Sequence, residues 1–541
     1  MYDKIPWQWT GRKPSQRVDL QGKTLDPVDC AGAMNTPWFL RQWRNWKVMV
    51  HLTWAVTVAA VLDEMAPLAG WCGFNEKFDT PQKSSAKYTP FIEESVSFGI
   101  MREEKKSVSL VGRIFGRFFV VLKRFNLMRA ILDCRKLDDK CGRPPALRLA
   151  TIAEIALALQ RFGSRAWFLS MDFRHYFHEI KLPPAVHRLF TIGVGDRIFT
   201  QVTLPMGFSW APWISQCCTA TVILRAFNDS GLIINPDELV GEAPPPMIFG
   251  RNKQGDIVAI AVLWYDNVLI VCQYPPIAEK VKRMLKHLCS KESSGVVLKG
   301  DIALTESKVS YLGVDWRLTG NKLRWAHDVA SVVEWALLLR EQIATSREIA
   351  RLIGVVLWDW QVSGEISPAE VADILAVSRA LSSACASDPE KWDCQAVITE
   401  DQRARVMQAF HRVLVESEAV FKGRPPPPPD MPLVFACSDA SNKAGAGVVL
   451  RPIQQLVWGE PWTEQEEELH ISERETIAAV NTVRRLLQTG IADQHIVFGT
   501  DNVAARWALA HFFFPSSESL TLELMLLANE LAARGCFLTM L

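Results

Sequence analysis

The chain lacks a charge imbalance. Its 60 Lys and Arg stand against 59 Asp and Glu over 541 residues. Bulk charge therefore cannot recruit a polyanion, and any nucleic-acid affinity must come from local basic surface. It also lacks paired cysteines. Its 12 Cys are scattered, with no CxxC pair and no Cys/His ligand spacing, which excludes a structural zinc site. Cys217 and Cys218 are adjacent and cannot form an unstrained bridge. Reduced thiols in an intracellular protein, cytoplasmic or nuclear, are the expectation. Long apolar runs are scarce too. The start, "MYDKIPWQWTGRKPSQ", has no apolar signal-peptide core. The stretch "VMVHLTWAVTVAAVL" (48–62) holds His51 and runs into Asp63 and Glu64. It falls short of the roughly 20 residues of a membrane span and reads as a buried helix, so no membrane partner is expected. There is no internal repeat.

What is present is ordinary globular composition, 49% hydrophobic and 22% charged, in a chain long enough for several domains. Residues 1–90 are Trp-rich and carry no motif, an N-terminal extension of unassigned role. Further on, "FIEESVSFGIMREE" reads as a helix, "GRFFVVLKRF" and "AWFLSMDF" as strands, and "TIAEIALALQ" and "ISQCCTATVILRAF" as helices. "DIVAIAVLWYDNVLIV" is two apolar runs joined at Tyr265–Asn267, a hairpin signal. "PPIAEKVKRMLKHLC" has Pro at its start and Lys286 and His287 near its end, as a helix favours. "YLGVDW" and "KLRWAH" read as a hairpin, and Thr345 and Glu348 have capping-box spacing. "RPPPPPD" (424–430) predicts a stiff polyproline spacer. Beyond it, strands and helices alternate in a small α/β domain at 431–541.

Asp172 and Asp266 each end an apolar strand, and both strands flank helices. A β-α-β-β-α-β sheet would bring the two carboxylates together. Paired carboxylates at adjacent strand ends suit Mg²⁺, a hard cation that takes oxygen ligands and nucleotide phosphates. Two such ions can activate a 3′-hydroxyl and stabilise leaving pyrophosphate.

Five motifs in order, "RAILDCRKLDD" (129–139), "MDFRHYFHEI" (171–180), "LPMGFSWAP" (204–212), "WYDN" (264–267) and "YLGVDW" (311–316), resemble the fingers motif, palm motifs and primer grip of reverse transcriptases. The resemblance spans about residues 91–360. Within that family the pattern is closest to the tyrosine-recombinase retrotransposons, the DIRS and VIPER group. It implies an α+β multidomain fold: fingers and a ferredoxin-like palm at 91–320, a helical thumb or connection at 321–423, the proline linker, then the last domain. It implies that Asp172 and Asp266 are metal ligands, with the Phe173 carbonyl assisting Asp172. Asn267 stands where the family usually has a second Asp; it retains a carbonyl oxygen but removes one negative charge. Phe177 resembles the steric gate that rejects a ribose 2′-hydroxyl. Met206 and Gly207 resemble the motif on the template base and nucleotide. Arg129, with Lys123 as a second basic candidate, resembles the triphosphate contact, and Asp133 and Arg135 its support. A basic residue after the palm hairpin can protonate pyrophosphate; Lys299 fits by distance to "YLG", and Lys308 is the alternative. Leu312 and Gly313 would form the turn that holds the primer end.

A second acidic set follows the prolines. Asp439 lies at the end of a first strand, Glu475 in a first helix and Asp501 at the end of a fourth strand, an order and context resembling ribonuclease H. Either Glu473 or Glu475 in "HISERETIAA" could be the helix ligand; Glu475 matches the family better. The family adds a fourth acid beyond a fifth strand, where this sequence ends at "CFLTML". The resemblance implies two Mg²⁺ (or Mn²⁺) ions per active site. The implied partners are an RNA template, a DNA primer, dNTPs and an RNA–DNA hybrid. Basic clusters at Arg113, Arg117, Lys123 and Arg124, and at Lys280, Lys282 and Arg283, would meet phosphates. Most of the 20 Trp are expected in packing. The alternative reading is a catalytically silent relative that only binds nucleic acid.

Overall fold

The structure is a computed structural model. It describes residues 20–64, 84–124, 127–150, 152–319, 322–327, 336, 339–342, 344–363, 368–386, 391–392, 394–415, 431–450, 455–514 and 517–541. The proline run 424–430 and the opening "MYDKIPWQWTGRKPSQ" lie outside the described residues. The fold is mixed α and β and multidomain, and its described residues form two compact units, one between 20 and 327 and one between 336 and 541.

In the first unit the strands are β1 (Thr24–Leu25), β2 (Met101–Glu103), β3 (Phe115–Arg124), β4 (Leu127–Asp133), β5 (Trp167–Asp172), β6 (Thr191–Val194) and β7 (Arg197–Gln201). After them come β8 (Met247–Arg251), β9 (Ile257–Trp264), β10 (Asn267–Cys272), β11 (Ala303–Glu306), β12 (Lys308–Tyr311), β13 (Val314–Thr319) and β14 (Lys322–His327). They form a six-stranded sheet β1-β4-β3-β6-β7-β2, a five-stranded sheet β11-β5-β10-β9-β8 and a three-stranded sheet β12-β13-β14. The helices used below are α1 (Thr36–Asn45), α2 (Thr53–Glu64), α3 (Thr89–Ser97), α4 (Ile152–Gln160), α5 (Ala211–Asp229) and α6 (Pro275–Leu288).

The five-stranded sheet follows from its sequence. "IVAIAVLW" and "NVLIVC" are apolar on both faces and rich in β-branched residues, which suits central strands covered on both sides. Helix α6 packs on β5 and β10, and α5 on β8 and β9. Helix α6 presents Ala278, Val281, Leu285 and Leu288 as its buried stripe, the spacing of one helical face. Strand β13 alternates instead: Val314, Trp316 and Leu318 are buried while Asp315, Arg317 and Thr319 face water, as a sheet with one solvated face demands.

Two local expectations change. The segment "FIEESVSFGIMREE" is a helix only through α3 and then turns into β2. The apolar stretch 48–62 is not one helix: a 3₁₀ turn over Met49–His51 precedes α2. Among the described residues no helix is long and apolar enough to cross a membrane. The described part of 1–90 is woven into the first unit. Strand β1 pairs in parallel with β4. Trp43 on α1 donates its indole N–H to the Thr221 hydroxyl at 2.7 Å, and Trp54 on α2 donates to the Leu239 carbonyl at 3.1 Å. Both rings are fully buried, with the polar tip satisfied, as buried indoles require.

The second unit contains helices α7 (Ser346–Ser363), α8 (Pro368–Ala386), α9 (Glu400–Val415), α10 (Ile471–Gln488), α11 (Val503–His511) and α12 (Glu518–Ala533). The Thr345–Glu348 capping box forms at α7. The strands are β15 (Leu433–Ala440), β16 (Ala444–Leu450), β17 (Gln455–Pro461), β18 (His495–Gly499) and β19 (Phe537–Met540), ordered β17-β16-β15-β18-β19. β15 is antiparallel to β16 but parallel to β18, and β18 is parallel to β19. Helix α10 lies on β15 and β16. Phe513 and Met525 share a core with the helices α7–α9.

Two candidate carboxylate centres

The first centre is assembled by strand register. β5 and β10 are antiparallel neighbours with Asn267 opposite Asp172. Asp266 is not the last residue of a strand. It occupies the second position of the two-residue turn between Trp264 and Asn267, which face each other in β9 and β10. Tyr265, the first turn residue, has φ 52°, the left-handed conformation that tight hairpin turns require. The Asp266 carbonyl accepts the Phe173 amide at 2.9 Å, which locks the turn to the end of β5. Burial pushes the Asp266 carboxyl up to about 6, and the Asp172 charge adds to the effect; an Asn267 amide donor at 3.1 Å and the Arg129 charge oppose it.

Lys299 pairs its ammonium with the Asp172 carboxylate, and its amide donates to the Asp172 carbonyl at 2.8 Å. Lys308 lies on β12 and is exposed. Of the two lysines left open by the sequence, Lys299 is the one at the carboxylate pair. Arg129, exposed on β4, is near enough for its charge to act on Asp266 and on the buried His178. Arg135 grips Asp133 through two hydrogen bonds of 2.8 and 2.5 Å, a bidentate fork. Lys123 lies on β3, but its side chain is outside the described residues. Phe177 is half-buried on the single helical turn Tyr176–Glu179. The Phe173 ring is buried 4.8 Å from that of Tyr176. The Met206 carbonyl accepts the Leu132 amide at 3.0 Å. At Gly207, with φ +109°, a Cβ would come within 2.1 Å of the Leu132 carbonyl oxygen; the close approach to β4 admits only glycine. Leu312 and Gly313, with φ 53° and 76°, are the two-residue turn between β12 and β13. Positive φ at both positions is the I′ pattern.

Several supporting residues carried no sequence signal of their own. Gln216 on α5 accepts the Tyr265 amide at 2.8 Å and donates to the Leu263 carbonyl at 3.3 Å. Thr219, one helical turn on, donates to the Tyr265 carbonyl at 2.6 Å. They share the buried face of α5 with the polar Ser215 and Thr221, so polarity alone did not single them out. A strap over residues 26–36 holds the far side. Gly32 and Met34 amides donate to the His178 and Glu179 carbonyls at 2.8 and 3.0 Å. The Cys30 thiol donates to the Arg174 carbonyl at 3.1 Å, and Asp29 pairs with Arg174 at 3.0 Å. Arg113, expected on a phosphate-facing surface, is instead buried. Its guanidinium donates to Ser109, Thr191 and Thr200, because a guanidinium enclosed by a sheet must find acceptors there. Arg117, Lys280 and Arg283 are exposed and Lys282 is half-buried.

In the second centre, carboxylate oxygens of Asp439, Glu475 and Asp501 all lie within 4.8 Å of one another. Asp439 and Asp501 are exposed and Glu475 is buried. The parallel pairing of β15 with β18 carries the two Asp to the same sheet end, and α10 lays Glu475 across it. Burial raises the Glu475 carboxyl above the usual range, and the Asp439 and Asp501 charges add to it. Its Oε2 is buried with no hydrogen-bond donor among the described residues. An orphaned, buried carboxylate oxygen facing two more acids is a donor set for a hard divalent cation. Glu473 is occupied otherwise: its carboxylate accepts the His470 amide at 3.1 Å, closing the N-terminus of α10.

No protein-family model matches the sequence, and no curated protein matches it. Among solved structures, the chain is similar to three forms of the foamy viral protease-reverse transcriptase. The dRH form in complex with double-stranded DNA is 12% identical with a TM-score of 0.42, over 85% of this chain and 71% of that one. The form with dsDNA is 11% identical with a TM-score of 0.41, over 95% and 98%. The form with RNA/DNA hybrid is 12% identical with a TM-score of 0.44, over 85% and 55%. At these scores and identities the likenesses say nothing of this chain's chemistry.

Proposed function

We propose that the chain is a retroelement RNA-directed DNA polymerase that extends a DNA primer on an RNA template with dNTPs. Its last domain would cut the RNA strand of the hybrid. The observation that carries this reading is the register of β5 against β10, with Asp172 beside the Asp266 turn and Lys299 and Arg129 around them. That constellation falls on the motifs that resemble the reverse transcriptase palm and fingers. The cluster of Asp439, Glu475 and Asp501 supports the nuclease half.

In this reading the six-stranded sheet belongs to the fingers, the five-stranded sheet is the palm, β12–β13 the primer grip and α7–α9 the thumb or connection. Asp172, Asp266 and the Phe173 carbonyl would hold Mg²⁺ or Mn²⁺. When bound, the two cations favour the ionised primer 3′-hydroxyl and neutralise charge on the leaving pyrophosphate. Arg129 and Lys123 orient the triphosphate, a use suited to charge-assisted hydrogen bonds. Lys299 delivers a proton to the leaving pyrophosphate. The Phe177 ring excludes a ribose 2′-hydroxyl, and Met206 with Gly207 supports the nascent base pair. Leu312 and Gly313 hold the primer end. Asp439, Glu475 and Asp501 direct a water at the RNA phosphate.

Primer extension tests the first activity. Purified protein with a primed RNA template, Mg²⁺ and dNTPs extends the primer, and Asp172→Ala or Asp266→Ala abolishes extension. Wild-type protein that binds the duplex yet never extends it would establish the silent, binding-only reading. Phe177→Val raises ribonucleotide incorporation tenfold or more in the same assay, read by alkali-labile sites in the product; unchanged sugar selectivity removes the gate.

A further inference from the structure

Glu179 ends the helical turn that begins at Tyr176, and it is 0% exposed. One carboxyl oxygen, Oε2, accepts the Val297 amide at 3.0 Å. The other, Oε1, meets no donor among the described residues. Burial pushes the carboxyl up to about 9; the Val297 amide opposes the rise and the Asp266 charge adds to it. The group is therefore neutral at pH 7. A half-satisfied carboxyl in an apolar interior is costly, and an aliphatic side chain would fill the same space without that cost.

The Val297 amide opens the segment that carries Lys299. That segment runs against the end of β5. The Arg174 amide donates to the Val297 carbonyl at 2.8 Å, Leu298 bridges Phe173, and the Lys299 amide donates to the Asp172 carbonyl at 2.8 Å. Upstream, Asn35 of the strap donates its amide to the Ser294 carbonyl at 2.7 Å and its side chain to Ser293 at 2.9 Å. The segment is thus tethered at 293–294 by the strap and at 299 by Asp172. Between them the Val297 amide has Glu179 as its acceptor.

We infer that Glu179 is a positioning residue for Lys299: its buried carbonyl oxygen clamps the Val297 amide and so keeps the Lys299 ammonium on Asp172, beside the Asp266 turn. The catalytic consequence rests on the polymerase reading above; the clamp itself does not. A glutamine keeps the accepting oxygen, whereas a methionine fills the volume and removes it.

Amide hydrogen exchange over 293–301 reads the clamp without any reaction. Glu179→Met exchanges these amides at least tenfold faster than wild type, with a melting temperature that moves little, because losing the unpaired Oε1 offsets leaving the Val297 amide without its acceptor. Glu179→Gln keeps wild-type protection. In single-turnover extension, Glu179→Met lowers kcat tenfold to a hundredfold, within the range of a lost general acid, while KM for dNTP stays within twofold. The Glu179→Met, Lys299→Ala double variant is no slower than Lys299→Ala alone, since both act through one group. Wild-type protection in Glu179→Met, or faster exchange with unchanged kcat, overturns the inference. If Glu179→Met does not fold, loss of protection in Glu179→Gln overturns it as well. If wild-type protein does not extend at all, the polymerase reading falls and the exchange result alone decides the clamp.

Discussion

At the scale of single residues, Asn267 stands where a second aspartate would be expected. It faces Asp172 across the β5–β10 ladder, and its amide donates to Asp266 Oδ1 at 3.1 Å. An aspartate at 267 has no proton to give at neutral pH, so it would replace this donor with a like charge. Asp266 is lifted to about 6, mainly by burial. Only its ionised form could hold the metal that the polymerase reading requires, so on that reading extension at subsaturating Mg²⁺ declines as pH falls through about 6. Asn267→Asp moves that acidic limb upward by about one pH unit, while the rate at pH 8 and saturating Mg²⁺ stays within about threefold. The kcat/KM profile from pH 5 to 8.5 reads both; a large gain at pH 8 would mean the natural site is crippled. Glu179 gives a stability counterpart. Its folded value, about 9, lies above that of a free glutamate, so the folded state holds a proton the unfolded chain releases. That contribution is complete below the unfolded value and is lost as pH rises towards 9, at about 1.4 kcal/mol per pH unit. Urea unfolding at pH 7 and 8.5 should show a loss of about 2 kcal/mol in wild type that Glu179→Gln abolishes; equal slopes would mean the carboxyl is not buried neutral.

At the scale of elements, helix α5 sets the turn that bears Asp266. Gln216 satisfies the Tyr265 amide and Thr219 the Tyr265 carbonyl at a residue held in the left-handed region. Gln216→Leu leaves that amide without its acceptor and lowers stability by about 1–3 kcal/mol. Extension falls by more than duplex affinity does, because the carboxylate moves and the phosphate contacts do not. Chemical denaturation and filter binding on the same variant separate the two, and equal losses would assign Gln216 to packing alone. The elements themselves were legible in the sequence where the pattern is local. The runs at 257–264 and 267–272, the amphipathic stripe of α6 and the strands after the prolines follow from periodicities a short window contains. The contacts that aim the site were not. Asn35 reaches Ser293, and Gln216 reaches Tyr265, across separations that no periodicity records. The stretch 48–62 is broken only by His51, Thr53 and Thr57, too little to mark the 3₁₀ turn before Leu52. Only the family resemblance favoured Glu475 over Glu473, because the cap of α10 is His470, outside the Ser/Thr-x-x-Glu pattern that flags a capping box.

At the scale of the whole molecule, the two acidic centres belong to different compact units. Each has its own carboxylates and its own sheet: β5 and β10 for Asp172 and Asp266, β15 and β18 for Asp439 and Asp501. Separate cores let one centre be disabled while the other stays folded, since sites with no shared partners act additively. Asp172→Ala therefore removes extension and leaves cleavage of a preformed RNA–DNA hybrid within about twofold, and Asp439→Asn does the reverse. Asp439→Asn also removes one of the charges that raise Glu475, so the Glu475 carboxyl ionises at lower pH while the cluster loses a ligand. If cleavage depended only on an ionised Glu475, that variant would gain activity at low pH. If it depends on three carboxylates gathered around a cation, cleavage is lost from pH 5 to 9 at any Mg²⁺ concentration. A gel assay of labelled hybrid across that range distinguishes these outcomes. Loss of both activities in either single variant would show that the units do not work independently.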